Sequence, residues 1–91
     1  SMNEKALEIL TDEAKKLLKG LLNPLEKLRD WTEPTIENTV KVYADECGIK
    51  LGEIALPLRA ALTGSNTSPS VFEVTTILGW DEVNLRIKSV C

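Results

Sequence analysis

The chain has 91 residues and a mass of 10.1 kDa, the size of one small domain with a single modest core. Its residues are 43% hydrophobic but only 4% aromatic, so aliphatic side chains must build that core, which favours helices over a β-sandwich. The absence of histidine excludes Ser-His-Asp and Cys-His catalysis, and a net charge of −3 with a pI near 4.9 disfavours a protein that coats DNA.

The first ten residues show no clear pattern. Ser1 and Met2 are typical of residues left by an expression tag, and we assign residues 3–10 to an N-terminal lead-in before a helical domain over residues 11–91. No apolar run approaches the ~20 residues of a membrane span, and nothing resembles a secretory signal. We therefore expect a soluble, cytoplasmic and monomeric chain.

Capping signals and leucine spacing predict the first helices. Thr11 precedes two acidic residues and a leucine stripe with helical spacing, which predicts a helix over residues 12–22. Asn23 and Pro24 have the form of a cap and a first helical residue, which predicts a second helix as far as Trp31. A single helix kinked at Pro24 is the alternative.

Glycines mark the ends of the next two helices. Thr32 caps a helix with apolar residues at steps of three and four, and Gly48 provides its left-handed end. The segment from residue 51 to residue 63 is also helical in pattern and is closed by Gly64. Pro57 lies inside this segment, so we expect a bend or a restart near Leu56.

The C-terminal third contains a loop followed by two short helices. Residues 65–69 read as an exposed loop, and Ser70 with Glu73 fits a capping box. The helix that follows ends at Gly79, and a last helix covers residues 81–90. The sequence as a whole predicts an all-α domain, a compact bundle of about six short helices.

The residues themselves indicate no catalytic or metal site. Acidic pairs such as Asp12-Glu13 are neighbours in sequence, and adjacent helix positions do not face each other. The glycines occur singly, without a phosphate-binding loop. Cys47 and Cys91 lie 44 positions apart and form no metal-binding or redox motif.

One set of motifs resembles a known family. The sequence PLRAALTG at residues 57–64 is followed by Ser68-Pro69-Ser70, by ILG at residues 77–79 and by LRI at residues 85–87. With Trp31-Thr32 and Ile36-Glu37 upstream, these motifs resemble the C-terminal anticodon-binding region of bacterial-type glutamyl-tRNA synthetases over about residues 11–90. Trp80 departs from that family, in which a lysine or another polar residue is common at this position.

The resemblance implies a helical fragment of a class I aminoacyl-tRNA synthetase. The intact enzyme would use ATP and Mg²⁺ to activate glutamate and attach it to its tRNA, on a catalytic domain with HIGH and KMSKS signatures that this sequence lacks. The 91 residues would then bind the anticodon loop of tRNA(Glu), with no catalytic residue and no cofactor of their own.

Four residues match the family positions that contact the second and third anticodon bases, namely Arg59, Ser68, Pro69 and Val71. Arginine offers a planar fork of donors that can bond a base edge or stack on a base. The Ser68 hydroxyl can pair with a pyrimidine edge, and Pro69 with Val71 can offer a stiff apolar surface to an unstacked base.

Structural roles compete with each of these assignments. Arg59 can instead pair with Glu53 or Glu73, and Val71 can be a core residue. Ser68 can cap a helix that has Pro69 at its first position. An alternative for the whole chain is a helical protein-interaction domain that docks a partner helix on the leucines between residues 14 and 28, with no RNA role.

Overall fold

The computed structural model describes residues 2–65 and 69–91, and all regular secondary structure in these two ranges is helical. In chain order the helices are α1 (Glu4–Ile9), α2 (Asp12–Glu26), α3 (Glu33–Cys47), α4 (Leu51–Thr63) and α5 (Val71–Val90). Gly79 interrupts α5 with a non-helical backbone conformation (φ 81°, ψ 164°). The predicted all-α class is therefore confirmed, and the helix count is close to the predicted six because α5 consists of two segments.

Residues 3–10 belong to the bundle and are not a mere lead-in. The Asn3 side-chain oxygen accepts a hydrogen bond of 2.8 Å from the Ala6 N–H and caps α1. Ala6 and Leu10 are buried in the common core. The sequence did not reveal this helix because six residues contain too few apolar positions to show a helical period.

Helix α2 continues through Pro24 and ends at Glu26, so the two separate helices predicted for residues 12–31 are wrong; one helix forms, as in the alternative, but it does not extend to Trp31. Thr11 caps α2 as predicted, through a 3.2 Å bond from the Ala14 N–H. Pro24 lies in the last turn of α2 and removes one backbone donor, the one that would pair with the Gly20 carbonyl.

The predicted ends of α3 and α4 are confirmed. Thr32 accepts a hydrogen bond from the Thr35 N–H at the start of α3. Gly48 ends α3 at φ 70° and Gly64 ends α4 at φ 69°, in the left-handed region that glycine adopts without a steric penalty. Helix α4 runs through Pro57 without a restart.

All five helices contribute aliphatic side chains to one core. Its largest fully buried members are Leu18, Leu21, Leu25, Ile36, Ile54, Leu58, Leu62 and Ile87. Three of these are leucines of α2, so the leucine-rich face packs inside the bundle and is not free to dock a partner helix. This burial contradicts the protein-interaction alternative.

Trp31 joins the connection between α2 and α3 to the break in α5. Its indole N–H donates a 3.2 Å hydrogen bond to the Thr75 carbonyl, one turn before Gly79. Its ring meets that of Trp80 edge to face, with centroids 6.3 Å apart and planes at 68°. Trp31 therefore ties this connection to α5 and packs against the core, with Trp80 beside it.

Candidate nucleic-acid interface

Arg59 lies one turn before the end of α4, between the fully buried Leu58 and Ala60. The side chain is partly buried, and its Nε atom is enclosed by protein without a hydrogen-bond partner. Within the described residues its guanidinium forms no ion pair, so the expected alternatives of pairing with Glu53 or Glu73 are not realised. A buried donor without an acceptor is unfavourable by about 1–3 kcal/mol, but a ligand could not reach this enclosed atom and would contact only the exposed part of the Arg59 side chain.

A network of short bonds fixes the backbone that follows Arg59. The Thr63 hydroxyl donates to the Arg59 carbonyl at 2.8 Å and accepts from the Ser65 N–H at 3.1 Å. The Gly64 N–H donates to the Ala60 carbonyl at 2.8 Å, which closes the last turn of α4. The chain therefore leaves α4 in a defined turn directly beyond Arg59.

Arg86 attaches this end of α4 to α5. Its Nη1 donates a 2.6 Å hydrogen bond to the Leu62 carbonyl, and its Nε donates a 2.7 Å bond to the Glu82 carboxylate. The Leu62 carbonyl is among the last four of α4, which have no partner inside a helix. The sequence showed Arg86 only as part of a family motif and gave no sign of this role, because the contact links residues 24 positions apart.

The predicted site residues of the next turn are placed only in part. Ser68, with Asn66 and Thr67, lies outside the described residues. Pro69 is exposed and precedes the cap position of α5, so it is not the first helical residue. Ser70 occupies the cap position without a side-chain capping hydrogen bond, so the capping box predicted with Glu73 does not form.

Val71 belongs to the core. Its side chain is 2% exposed at the start of α5, where α5 packs against α4. An unstacked base cannot rest on a side chain in this position, so the apolar surface expected from Pro69 and Val71 together is reduced to Pro69. The structural alternative for Val71 therefore fits its position.

The clefts of the bundle lie away from Arg59. Four open clefts with volumes between about 280 and 340 Å³ are lined by residues of all five helices, and neither Arg59 nor Pro69 lines any of them.

Other kinds of site find no support in the part of the chain that the structure describes. Among those residues no three Cys, Asp or Glu side chains are grouped so that they could hold a metal ion. The thiols of Cys47 and Cys91 are free and exposed. No helix within residues 2–65 or 69–91 is long and apolar enough to cross a membrane.

Comparison with known proteins identifies related sequences along the whole chain. Residues 1–91 match the protein family described as "Anticodon binding domain". Glutamate–tRNA ligase 2 of Parvibaculum lavamentivorans is 49% identical over 86 residues, and glutamate–tRNA ligase 1 of Methylorubrum extorquens is 47% identical over 88 residues. These matches cover 94% and 97% of this chain but only 18% and 19% of the two ligases.

A solved structure shows the same arrangement of helices. The crystal structure of a glutamate tRNA ligase from Elizabethkingia meningosepticum, in complex with its amino acid, superimposes with a TM-score of 0.92 at 26% identity. The match covers 99% of this chain and 18% of that ligase. The chain thus corresponds to a little under a fifth of the length of the relatives it matches.

Proposed function

Because the chain belongs to the anticodon-binding domain family, we propose that it is the anticodon-recognition part of a glutamate–tRNA ligase and binds the anticodon loop of tRNA(Glu). Binding would hold the tRNA so that a separate catalytic part of the ligase attaches glutamate to it. ATP and Mg²⁺ would act in that separate part. The chain itself would act as a monomeric, non-catalytic unit in the cytoplasm.

The observation that carries this proposal is the position of the Arg59 guanidinium and its lack of an ion-pair partner among the described residues. Arg59 is partly exposed one turn before the end of α4. The edges of unpaired bases present ring nitrogens and carbonyl oxygens, which are acceptors of the kind that this guanidinium lacks. The guanidinium plane can also stack on an unstacked base, as RNA-binding proteins commonly use it.

The net negative charge of the chain fits recognition of a few bases better than neutralisation of many phosphates. The chain has eleven lysines and arginines and fourteen acidic residues. Contacts with a long phosphate backbone would therefore add little binding energy. Single-stranded loops are recognised through hydrogen bonds and stacking on splayed bases. An anticodon loop matches that requirement better than a duplex does.

Binding of a tRNA(Glu) transcript by the 91-residue chain and by its Arg59→Ala variant tests the proposal. Removing the guanidinium should weaken binding by about 1–3 kcal/mol, roughly 5- to 150-fold in Kd. Arg29→Ala is a matched control, because it removes the same charge from an exposed position in the connection between α2 and α3. Changed anticodon bases in the transcript should reduce the affinity of the unmodified chain.

The pattern across variants separates the possible results. Loss of affinity in Arg59→Ala with near-normal binding in Arg29→Ala supports recognition at Arg59. Equal losses in both variants would reduce the interaction to general charge attraction and would overturn the proposed site. If no change of the anticodon bases alters the affinity of the unmodified chain for the transcript, the proposed function itself is overturned.

A further inference from the structure

We propose that Asn3 is a positioning residue, which holds the turn after α4 and thereby sets the orientation of Arg59 for RNA. The inference rests on the proposed function, since it concerns the same recognition surface. It assigns a role to the segment that the sequence presented as a lead-in. Three hydrogen bonds of Asn3 carry the argument.

Asn3 uses both its backbone and its side chain. Its backbone N–H donates to the Gly64 carbonyl at 2.8 Å, and its side-chain Nδ2 donates to the Ser65 hydroxyl at 3.2 Å. Its Oδ1 meanwhile accepts from the Ala6 N–H and caps α1. One residue thus joins the start of α1 to the turn beyond α4, across 62 positions of sequence.

The contacts continue from Asn3 to Arg59. Ser65, which receives the Nδ2 bond, donates its own N–H to the Thr63 hydroxyl at 3.1 Å. Thr63 in turn donates to the Arg59 carbonyl at 2.8 Å. Asn3 is therefore linked through two intermediate residues to the backbone that carries the guanidinium.

Asn3 adds to the hydrogen bonds of Thr63 and Gly64 that hold this turn. Gly64 and Ser65 have no apolar side chain to anchor in the core, so hydrogen bonds determine the position of their backbone. Arg86 holds α4 one step earlier, at the Leu62 carbonyl. Asn3 binds the backbone beyond the end of α4, at Gly64 and Ser65. Helix α1 holds Asn3 in place because Ala6 is fully buried in the core.

The residue type agrees with a double role. Serine, threonine and aspartate cap helices as well as asparagine does, because capping needs only a side-chain acceptor. Asparagine alone among these also offers a side-chain N–H donor. That donor is the group that reaches Ser65.

The experiment compares four variants of the 91-residue chain by urea unfolding and by binding of the tRNA(Glu) transcript. Asn3→Ala removes both the cap and the contact with Ser65. Asn3→Ser keeps a capping oxygen and loses the amide N–H that reaches Ser65, so it should keep most of the stability while its Kd rises by at most about fivefold, the net value of one hydrogen bond. Thr11→Ala removes a comparable cap from α2 without touching the turn, so its Kd should change less than about twofold.

Arg59→Ala serves as the reference for the proposed function. If Arg59→Ala binds like the unmodified chain, the proposed site at Arg59 fails and takes this inference with it, whereas the proposed function fails only if no anticodon change alters binding. If Arg59→Ala is weakened but Asn3→Ser binds normally, only the positioning role is overturned. If Asn3→Ala does not fold, Asn3→Ser alone decides between these outcomes. A shift of the Arg59 Nε–H resonance in free Asn3→Ser, absent in Thr11→Ala, would show the link from Asn3 to Arg59 without RNA.

Discussion

The substitution Gly20→Ala tests whether close packing between α2 and α3 outweighs the higher helix propensity of alanine. A Cβ atom added at Gly20 would lie 2.3 Å from the Tyr43 hydroxyl oxygen and 3.3 Å from the ring carbon that bears it. That hydroxyl donates a 2.7 Å hydrogen bond to the Leu17 carbonyl, so it has a fixed place. Alanine at position 20 would therefore have to displace the Tyr43 side chain.

The opposing contributions can be compared in magnitude. Replacement of a glycine inside a helix by alanine gains about 1 kcal/mol in propensity. Loss of the Tyr43 hydrogen bond costs about 1 kcal/mol, and crowding in a packed site costs about 1–3 kcal/mol more. We expect Gly20→Ala to lower the free energy of unfolding by about 1–3 kcal/mol, which at this chain length is at least about 4 °C in Tm.

Two further variants isolate the cause in urea unfolding monitored by circular dichroism. Gly52→Ala is the control, because a Cβ at Gly52 meets nothing within 4 Å, and it should be neutral or stabilising. In a Tyr43→Phe background the nearest atom is gone, so Gly20→Ala should cost much less there. If Gly20→Ala stabilises the chain as Gly52→Ala does, or if Tyr43→Phe gives no relief, the steric reasoning is refuted.

Two other predictions concern Arg86 and Tyr43. Arg86→Met leaves the Leu62 carbonyl without its partner and should lower the free energy of unfolding in urea by about 1–3 kcal/mol. Glu82→Gln breaks only a half-exposed ion pair and should lower it by less than about 1 kcal/mol. Equal effects of the two variants would contradict this assignment. Burial, followed by the hydrogen bond and charge of Cys47, raises the pKa of Tyr43 from 10.0 to about 12. The unfolded chain then loses the tyrosine proton first, so Tyr43 should contribute full stability below about pH 10 and lose that contribution as pH rises to about 12. The stability advantage of the unmodified chain over Tyr43→Phe should shrink across that range, and a constant difference would disprove the shift.

Local chemistry made much of the fold predictable. Thr11 and Thr32 have the residue type and position of helix caps, and both caps form. Gly48 and Gly64 end helices at positive φ, where other residues are strained. The errors came where local signals were weak or ambiguous, since six residues are too few to show a period for α1 and a proline near a helix end resembles a proline at a helix start.

The candidate site was predictable only through resemblance and only in part. The sequence pointed to Arg59, but its unpartnered Nε depends on the packing of helices that the sequence does not specify. Val71 was also predicted as a site residue, but it is buried, because a motif position does not show which side of a helix faces the core. The contacts of Asn3 and Arg86 link residues 62 and 24 positions apart, and no local pattern encodes them.

The most direct test of anticodon recognition is a map of where RNA contacts the domain. A ¹⁵N-labelled sample of the chain would be titrated with a hairpin that carries the anticodon stem and loop of tRNA(Glu). We expect the largest shifts at the Arg59 Nε–H and at the backbone amides of Gly64 and Val71, at the end of α4 and the start of α5. Shifts centred instead on the cleft between Pro24 and Val42, with the Arg59 signal unmoved, would contradict the account.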